Sequence, residues 1–235
     1  MQTLVIVLYL ITLGALALYG CHRSALLFLY LRHRGEKSLA KACFDDADLP
    51  FVTIQLPMYN ELFVAERLID AAARIVYPRE RLQIQVLDDS TDETATIALK
   101  KCKALCDTGI DCEYLHRTDR HGYKAGALAA GLERAKGELV IVFDADFVPG
   151  TEILSQLVHF FTDPQVGMVQ ARWAHLNRDR SLLTRCQAML LDGHFVIEHA
   201  ARNRSGRFFN FNGTAGIWRK TAILEAGGWQ HDSIT

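Results

Sequence analysis

The sequence lacks the glycine-rich loops with which many nucleotide-binding proteins cradle phosphates. Neither a G-x-G-x-x-G pattern nor a G-x-x-x-x-G-K-[ST] pattern occurs in the 235 residues, which argues against a dinucleotide-binding fingerprint and a P-loop. The segment after the first predicted strand instead reads Pro57, Met58, Tyr59, Asn60 and Glu61. Phosphate binding in this chain would therefore need another device.

The chain also lacks an excess charge of either sign. It carries 26 basic and 27 acidic residues, for a formal net charge of −1. Such a balance creates no field over the whole chain that attracts nucleic acid or an anionic surface. We therefore expect no nucleic-acid partner, and any attraction for phosphate must be local.

Paired cysteines are absent as well. The six cysteines include no C-x-x-C pair, so the sequence predicts neither a zinc knuckle nor a disulfide framework, and we interpret them as reduced thiols. A metal site at Cys102, Cys106 and Cys112 is the weaker interpretation.

What the sequence does contain begins with an uncharged apolar run at residues 4–19. The run is slightly shorter than the ~20 residues that span a bilayer, but the apolar stretch up to Leu31 can extend it. We predict one transmembrane helix with a basic juxtamembrane segment over residues 1–41. Basic side chains follow the run at Arg23, Arg32, Arg34, Lys37 and Lys41. This asymmetry predicts a cytosolic location for the downstream domain. A cleaved signal peptide is the alternative, but its basic leading region is missing.

From Phe51 onward, short β-rich runs alternate with helical ones. The pattern predicts strands at 51–56, 82–87, 112–115 and 139–143, and helices at 65–75, 90–105, 124–136 and 181–202. Ser90 and Glu93 have the spacing of a capping box at the start of the second helix. The alternation indicates an α/β domain over residues 42–235, with a mainly parallel sheet and flanking helices.

Carboxylates follow three of these predicted strands. Glu61 follows the first, Asp88 and Asp89 follow the second, and Asp144 and Asp146 follow the fourth. Because two aspartates at i and i+2 point the same way, the last pair can address one divalent ion and a phosphate bound to it. Oxygen ligands of this kind suit Mg²⁺ or Mn²⁺. The alternative is that these are turn-forming aspartates.

Six segments, in this order, resemble the glycosyltransferases of family two, in particular the cellulose synthase-like and glucomannan synthase-like membrane enzymes. They are LPMYNE, DDSTDET, HGYKAGAL, FDADF, VQARW and FNGTAGIWR. The resemblance covers about residues 50–235. It implies a GT-A-type, Rossmann-like fold and an enzyme that transfers a hexose from a nucleotide-diphosphate sugar.

The resemblance also implies roles for individual residues. The nucleotide-sugar site would comprise Pro57, Tyr59, Glu61, Asp88, Asp89, Lys124 and Asp144. Asp144 and Asp146 would hold Mg²⁺ or Mn²⁺, and Trp173, Gly213 and Thr214 would bind the acceptor.

An inverting enzyme further needs a carboxylate base that takes the proton of the acceptor hydroxyl. In the resembled family this base lies in a Thr-Glu-Asp motif, and Thr235 would be the first residue of that motif. The resemblance therefore implies that the catalytic base lies beyond Thr235 and that the chain is an N-terminal fragment. Asp232 is the nearest substitute, although a loop aspartate is the simpler interpretation.

Three hypotheses for the function follow. The leading one is a membrane-bound inverting glycosyltransferase that extends a β-linked polysaccharide from a UDP- or GDP-hexose. The alternatives are an enzyme that glycosylates a lipid, such as ceramide or a polyprenyl phosphate, and a non-catalytic membrane subunit that senses sugar nucleotides. The expected partners are the sugar-nucleotide donor, a glycan or lipid acceptor, and membrane lipid.

Overall fold

The computed structural model describes residues 2–231, and they fall into two compact units. The helical unit comprises the described residues up to Ser38 together with Arg172–Asn210. The sheet unit comprises Leu39–Ala171 together with the described residues from Phe211 onward. The division into a membrane segment at 1–41 and a catalytic domain at 42–235 stays a prediction.

In the helical unit, one long helix contains the whole predicted apolar run. That helix is α1 (Gln2–His33). The other elements of the helical unit are α6 (Leu182–Asp192), a π-helical stretch (Gly193–His199) and α7 (Ala200–Arg204). Near the C-terminal end of α1, Leu26 is buried, and Arg23 donates to Glu198 over 3.1 Å. Helix α6 begins with a capping box in which Ser181 and Thr184 satisfy each other's backbone amides.

The sheet unit contains a six-stranded sheet with the order β3-β2-β1-β4-β6-β5. Strands β3, β2, β1 and β4 are mutually parallel, whereas β6 is antiparallel to β4 and to β5. The strands are β1 (Val52–Met58), β2 (Leu82–Asp88), β3 (Asp111–His116), β4 (Leu139–Val142), β5 (Met168–Gln170) and β6 (Gly216–Arg219). The predicted α/β class with a mainly parallel sheet is confirmed.

Helices flank this sheet. They are α2 (Ala65–Ala73), α3 (Thr94–Asp107), α4 (Tyr123–Arg134), α5 (Ile153–Leu157) and α8 (Lys220–Glu225), with short 3₁₀ turns at Asp46–Asp48, Arg79–Arg81 and Val158–Thr162. The predicted capping box at Ser90 is wrong. Helix α3 begins only at Thr94, and its N-cap residue Glu93 makes no side-chain capping bond. The Ser90 hydroxyl instead accepts from the backbone amide of Asn60 over 2.8 Å, which ties together the loops after β1 and β2.

A buried polar ladder joins β1 and β2. Thr53 donates to Gln83 over 2.9 Å, and Gln55 donates to Gln85 over 3.0 Å, so these buried side chains pair across the two strands. Helix α4 lies against this ladder so closely that a Cβ atom on Gly131 would come within 2.6 Å of the Gln55 amide nitrogen. The close approach fixes α4 over β1 and thereby places the first turn of α4 beside the carboxyl ends of the strands.

Candidate active site

A cleft of about 340 Å³ opens at the carboxyl ends of the parallel strands. This is the edge at which ligands bind in open α/β sheets. The cleft is lined by Pro57, Met58, Tyr59, Glu61, Asp89, Arg120, Lys124, Ala127, Asp144, Ala145 and Asp146. The ends of β1, β2 and β4 and the start of α4 thus contribute to one site.

Asp144 is anchored from two sides. Its backbone amide donates to the Thr214 hydroxyl over 3.0 Å, and its carboxylate accepts a hydrogen bond from the Lys124 ammonium. The same ammonium donates to the Gly213 carbonyl over 2.9 Å. Lys124 therefore joins the first turn of α4 to the D-x-D segment, and both partners remain about one third exposed to the cleft.

Asp146 and Asp144 lie close enough to Glu61 to repel its carboxylate. The pKa of Glu61 is raised, first because the group is partly buried and then because Asp146 and Asp144 carry like charges. A divalent cation would relieve this repulsion, and carboxylate oxygens are the donors that Mg²⁺ and Mn²⁺ prefer, so these residues fit such an ion. Within residues 2–231, no three histidine, cysteine or acidic side chains converge as a complete cage. The protein would therefore supply only part of the coordination shell, as is usual when substrate phosphates complete it.

The two aspartates after β2 have different surroundings. Asp88 is fully buried, and its carboxylate accepts from the Ser90 amide over 2.9 Å and from the Tyr114 hydroxyl over 2.7 Å. Asp89 lines the cleft, and both of its oxygens accept hydrogen bonds from Arg117, at 2.8 and 2.5 Å. Both carboxylates thus have protein partners, and a direct contact of either with a nucleotide stays a prediction.

Two arginines near the cleft were not foreseen from the sequence. Arg117 holds Asp89. Arg120 lines the cleft, with its guanidinium carbon 3.3 Å from the ring centroid of Tyr59 and 5.2 Å from that of Tyr123. In the sequence the two arginines stand three residues apart, just before the lysine segment HGYKAGAL, and this position is the signal that could have indicated them. A planar cation over an exposed aromatic ring is a surface on which flat ligands stack.

A family model described as "Glycosyl transferase family 2" matches residues 53–225. This chain belongs to glycosyltransferase family 2. The match covers the sheet from Thr53 onward, the residues that line the cleft and every residue predicted to bind donor, metal or acceptor, so the family relationship concerns the part of the molecule that carries the candidate chemistry.

Two curated plant proteins are similar to this family 2 chain. "Probable glucomannan 4-beta-mannosyltransferase 7" of Oryza sativa subsp. japonica is 45% identical over 188 residues, which cover 78% of this chain and 32% of that protein. "Glucomannan 4-beta-mannosyltransferase 2" of Arabidopsis thaliana is 46% identical over 189 residues, which cover 78% of this chain and 35% of that protein. The chain thus spans about a third of the length of these relatives.

Solved structures are also similar to this chain. A mannosyltransferase from Pyrobaculum calidifontis, in complex with GDP-Man and Mn²⁺, has a TM-score of 0.70 and 28% sequence identity, over 93% of this chain and 59% of that one. A structure of TarS 1-349 from S. aureus has a TM-score of 0.55 at 15% identity, over 78% of this chain and 51% of that one. The predicted GT-A-type fold of this family 2 chain is confirmed by the first likeness.

The residues predicted to bind an acceptor fall in both units. Gly213 and Thr214 belong to the sheet unit, where their contacts are with Lys124 and Asp144. Trp173 belongs to the helical unit, where its ring packs edge to face against Phe195 at 5.6 Å between centroids. Acceptor binding by these residues stays a prediction, and the catalytic base expected after Thr235, like Asp232, lies outside the described residues.

Proposed function

We propose that this protein is a metal-dependent, membrane-bound glycosyltransferase that transfers a hexose from a nucleotide-diphosphate sugar to a growing β-linked polysaccharide. The observation that carries the proposal is the cleft in which Tyr59, Lys124 and the D-x-D carboxylates of Asp144 and Asp146 come together. An aromatic ring, a cation and two carboxylates in one cleft match the three parts of such a donor, namely the base, the diphosphate and its bound metal.

The donor we propose is GDP-mannose. Support comes from the names of the curated plant relatives, which are glucomannan 4-beta-mannosyltransferases. Further support comes from the archaeal mannosyltransferase, which was solved with GDP-Man and Mn²⁺. A UDP-hexose is the alternative donor.

In the proposed reaction, the residues of the cleft bind and orient the donor. The ring of Tyr59, together with the Arg120 guanidinium stacked over it, offers a stacking surface for the nucleobase; such stacking is worth ~1–3 kcal/mol per base in other proteins. Asp144 and Asp146 would hold Mg²⁺ or Mn²⁺, which supplies Lewis-acid stabilisation of the departing diphosphate when bound.

Lys124 adds a positive charge that is fixed before the reaction begins. Its ammonium is oriented by the Gly213 carbonyl at 2.9 Å and by Asp144. Such preorganised charge stabilises negative charge as it develops on a leaving group. An inverting transfer also requires a base on the acceptor side, which we place, as the resemblance implies, after Thr235.

We propose that α1 anchors the protein in a membrane with the sheet unit in the cytosol. Helix α1 has 32 residues and is about 48 Å long at 1.5 Å per residue, which exceeds the ~30 Å of a bilayer core. Its apolar segment is unburied within the protein. In the same unit, α6 exposes the apolar side chains of Leu182, Leu183, Met189 and Leu190. Basic residues follow the apolar run of α1, as the positive-inside rule requires for a cytosolic flank.

The function is tested with membranes from cells that express the protein from its complete gene. The membranes receive radiolabelled GDP-mannose or UDP-glucose with Mn²⁺, and the insoluble product is digested with an endo-β-mannanase. We expect labelled polymer from GDP-mannose that the mannanase degrades, and no polymer when Asp146→Asn membranes are used. Label that partitions into an organic extract would favour the lipid acceptor, and the absence of transfer from either donor would contradict the proposal.

A further inference from the structure

We propose that Arg117 is a positioning residue of the donor site, whose guanidinium, held by Asp89, fixes the turn that aims Lys124 into the cleft. The inference rests on the proposed function, since Lys124 matters in this way only if the cleft binds a diphosphate. It also gives Asp89 a role that differs from the nucleotide contact implied by family resemblance.

Arg117 and Asp89 form an ion pair with two hydrogen bonds. Nε of Arg117 lies 2.8 Å from Oδ1 of Asp89, and Nη2 lies 2.5 Å from Oδ2, so the two planar groups meet in a bidentate arrangement. The side chain of Asp89 is 3% exposed and that of Arg117 is 20% exposed. Hydrogen bonding to Asp89 is the main reason why the pKa of Arg117 is raised. A shielded, bidentate pair of this kind holds a guanidinium in one orientation.

The same guanidinium also donates hydrogen bonds to the turn that leads into α4. Nη1 donates to the His121 carbonyl over 3.2 Å, and Nη2 donates to the Tyr123 carbonyl over 3.0 Å. Gly122 and Tyr123, where this turn leads into α4, both have left-handed backbone angles, with φ of 71° and 49°. For a non-glycine residue this conformation is unfavourable, and it persists only when neighbouring contacts impose it. The Arg117 hydrogen bonds are contacts of that kind.

This turn is directly followed by Lys124. Lys124 is the residue directly after Tyr123, and its ammonium reaches Asp144 and the Gly213 carbonyl. The turn packs tightly against α4, because a Cβ atom on Gly126 would come within 2.1 Å of the His121 oxygen. A shift of the His121 or Tyr123 carbonyl therefore moves Lys124 relative to the cleft. Asp89, with both oxygens bound to Arg117, acts on the donor through this chain of contacts.

A double-mutant cycle tests the inference. The full chain in lipid nanodiscs is titrated by calorimetry with GDP and with GMP in the presence of Mn²⁺, as wild type, Arg117→Lys, Lys124→Ala and the double variant. Lysine keeps the charge but lacks the planar fork that bonds Asp89 and two carbonyls at once. We expect Arg117→Lys to weaken GDP binding ~10-fold or more, as for other supporting contacts of a site, and to affect GMP much less. In the Lys124→Ala background the same change should have little further effect.

Two results would overturn the inference. One is an additive loss in the double variant, and the other is an equal loss for GDP and GMP, because either indicates a general structural role. Arg134→Lys, at an exposed ion pair with Glu113, is the matched control and should bind like wild type. Should Arg117→Lys fail to fold, as judged by thermal unfolding, Asp89→Asn takes its place in the cycle with the same expectations.

The cycle also separates this inference from the proposed function. If wild-type protein does not bind GDP with Mn²⁺, or if Lys124→Ala binds GDP as tightly as wild type, the proposed donor site is wrong and the inference falls with it. If both behave as proposed and the cycle is additive, only the role of Arg117 is wrong.

Discussion

Replacing Lys124 by methionine should change the affinity for metal and the affinity for nucleotide in opposite directions. The Lys124 ammonium donates to the Asp144 carboxylate and, over 2.9 Å, to the Gly213 carbonyl. Methionine keeps the apolar stem and removes the charge. Asp144 then becomes available to a cation without competition, while a diphosphate loses a cationic partner.

The sizes of the two effects follow from the exposure of the pair. The side chains of Lys124 and Asp144 are 40% and 36% exposed, so solvent screens their attraction to ~1 kcal/mol or less. The Lys124→Met variant should therefore bind Mn²⁺ alone up to ~5-fold more tightly. A lost hydrogen bond to a charged group costs ~1.5–3 kcal/mol, so GDP with saturating Mn²⁺ should bind roughly 10- to 150-fold more weakly.

The assay is calorimetric titration of the full chain in nanodiscs, first with Mn²⁺ alone and then with GDP at saturating Mn²⁺. Lys136→Met is the control, because Lys136 pairs with Asp111 on the surface outside the cleft, and it should leave both affinities unchanged. A loss of both affinities in Lys124→Met would indicate a structural role for Lys124. Unchanged GDP affinity would refute the placement of the diphosphate beside this residue.

Three further perturbations have defined outcomes. Glu61→Gln should raise the thermal stability of the metal-free protein at neutral pH, because a raised pKa means that ionised Glu61 destabilises the fold; the gain should shrink as the pH falls through this raised pKa and disappear well below the unfolded value of 4.5, where the carboxyl is protonated in both states, and a loss of stability at pH 7 would contradict this. Gly126→Ala should lower the free energy of unfolding by ~1–3 kcal/mol, since its Cβ would meet the His121 oxygen at 2.1 Å, whereas Gly150→Ala, with nothing within 4 Å, should remain close to wild type in chemical denaturation. A protease-sensitive reporter inserted after Lys41 should be protected from external protease in intact cells, and cleavage there would reverse the proposed orientation.

Local sequence patterns predicted the centre of the sheet well. The β-rich runs that became β1, β2 and β4 are buried at every position, and short runs rich in β-branched and aliphatic residues are a signal that the sequence itself displays. The D-x-D aspartates were correctly expected at a strand end, because position relative to the strand follows from the same pattern.

Features that depend on distant contacts were not predicted. Strands β5 and β6 have three and four residues and pair antiparallel at the edge of the sheet, and so short a strand leaves little periodicity to detect. The bond from Arg23 to Glu198 joins residues 175 positions apart, and the pair of Asp89 with Arg117 joins residues 28 apart. Ser90 has the spacing of a capping residue, but its hydroxyl is used by Asn60 from another loop, so tertiary structure overrode the local signal.

The most direct test of the central claim is the metal dependence of nucleotide binding in wild type and in Asp146→Asn. The full chain in nanodiscs is titrated with GDP in the presence of Mn²⁺ and again in the presence of a chelator. We expect the chelator to weaken GDP binding to wild type at least 10-fold, since the metal would join the carboxylates to the diphosphate. We also expect Asp146→Asn to bind GDP weakly under both conditions. Equal affinity for GDP in all four titrations would contradict the metal-bridged donor site.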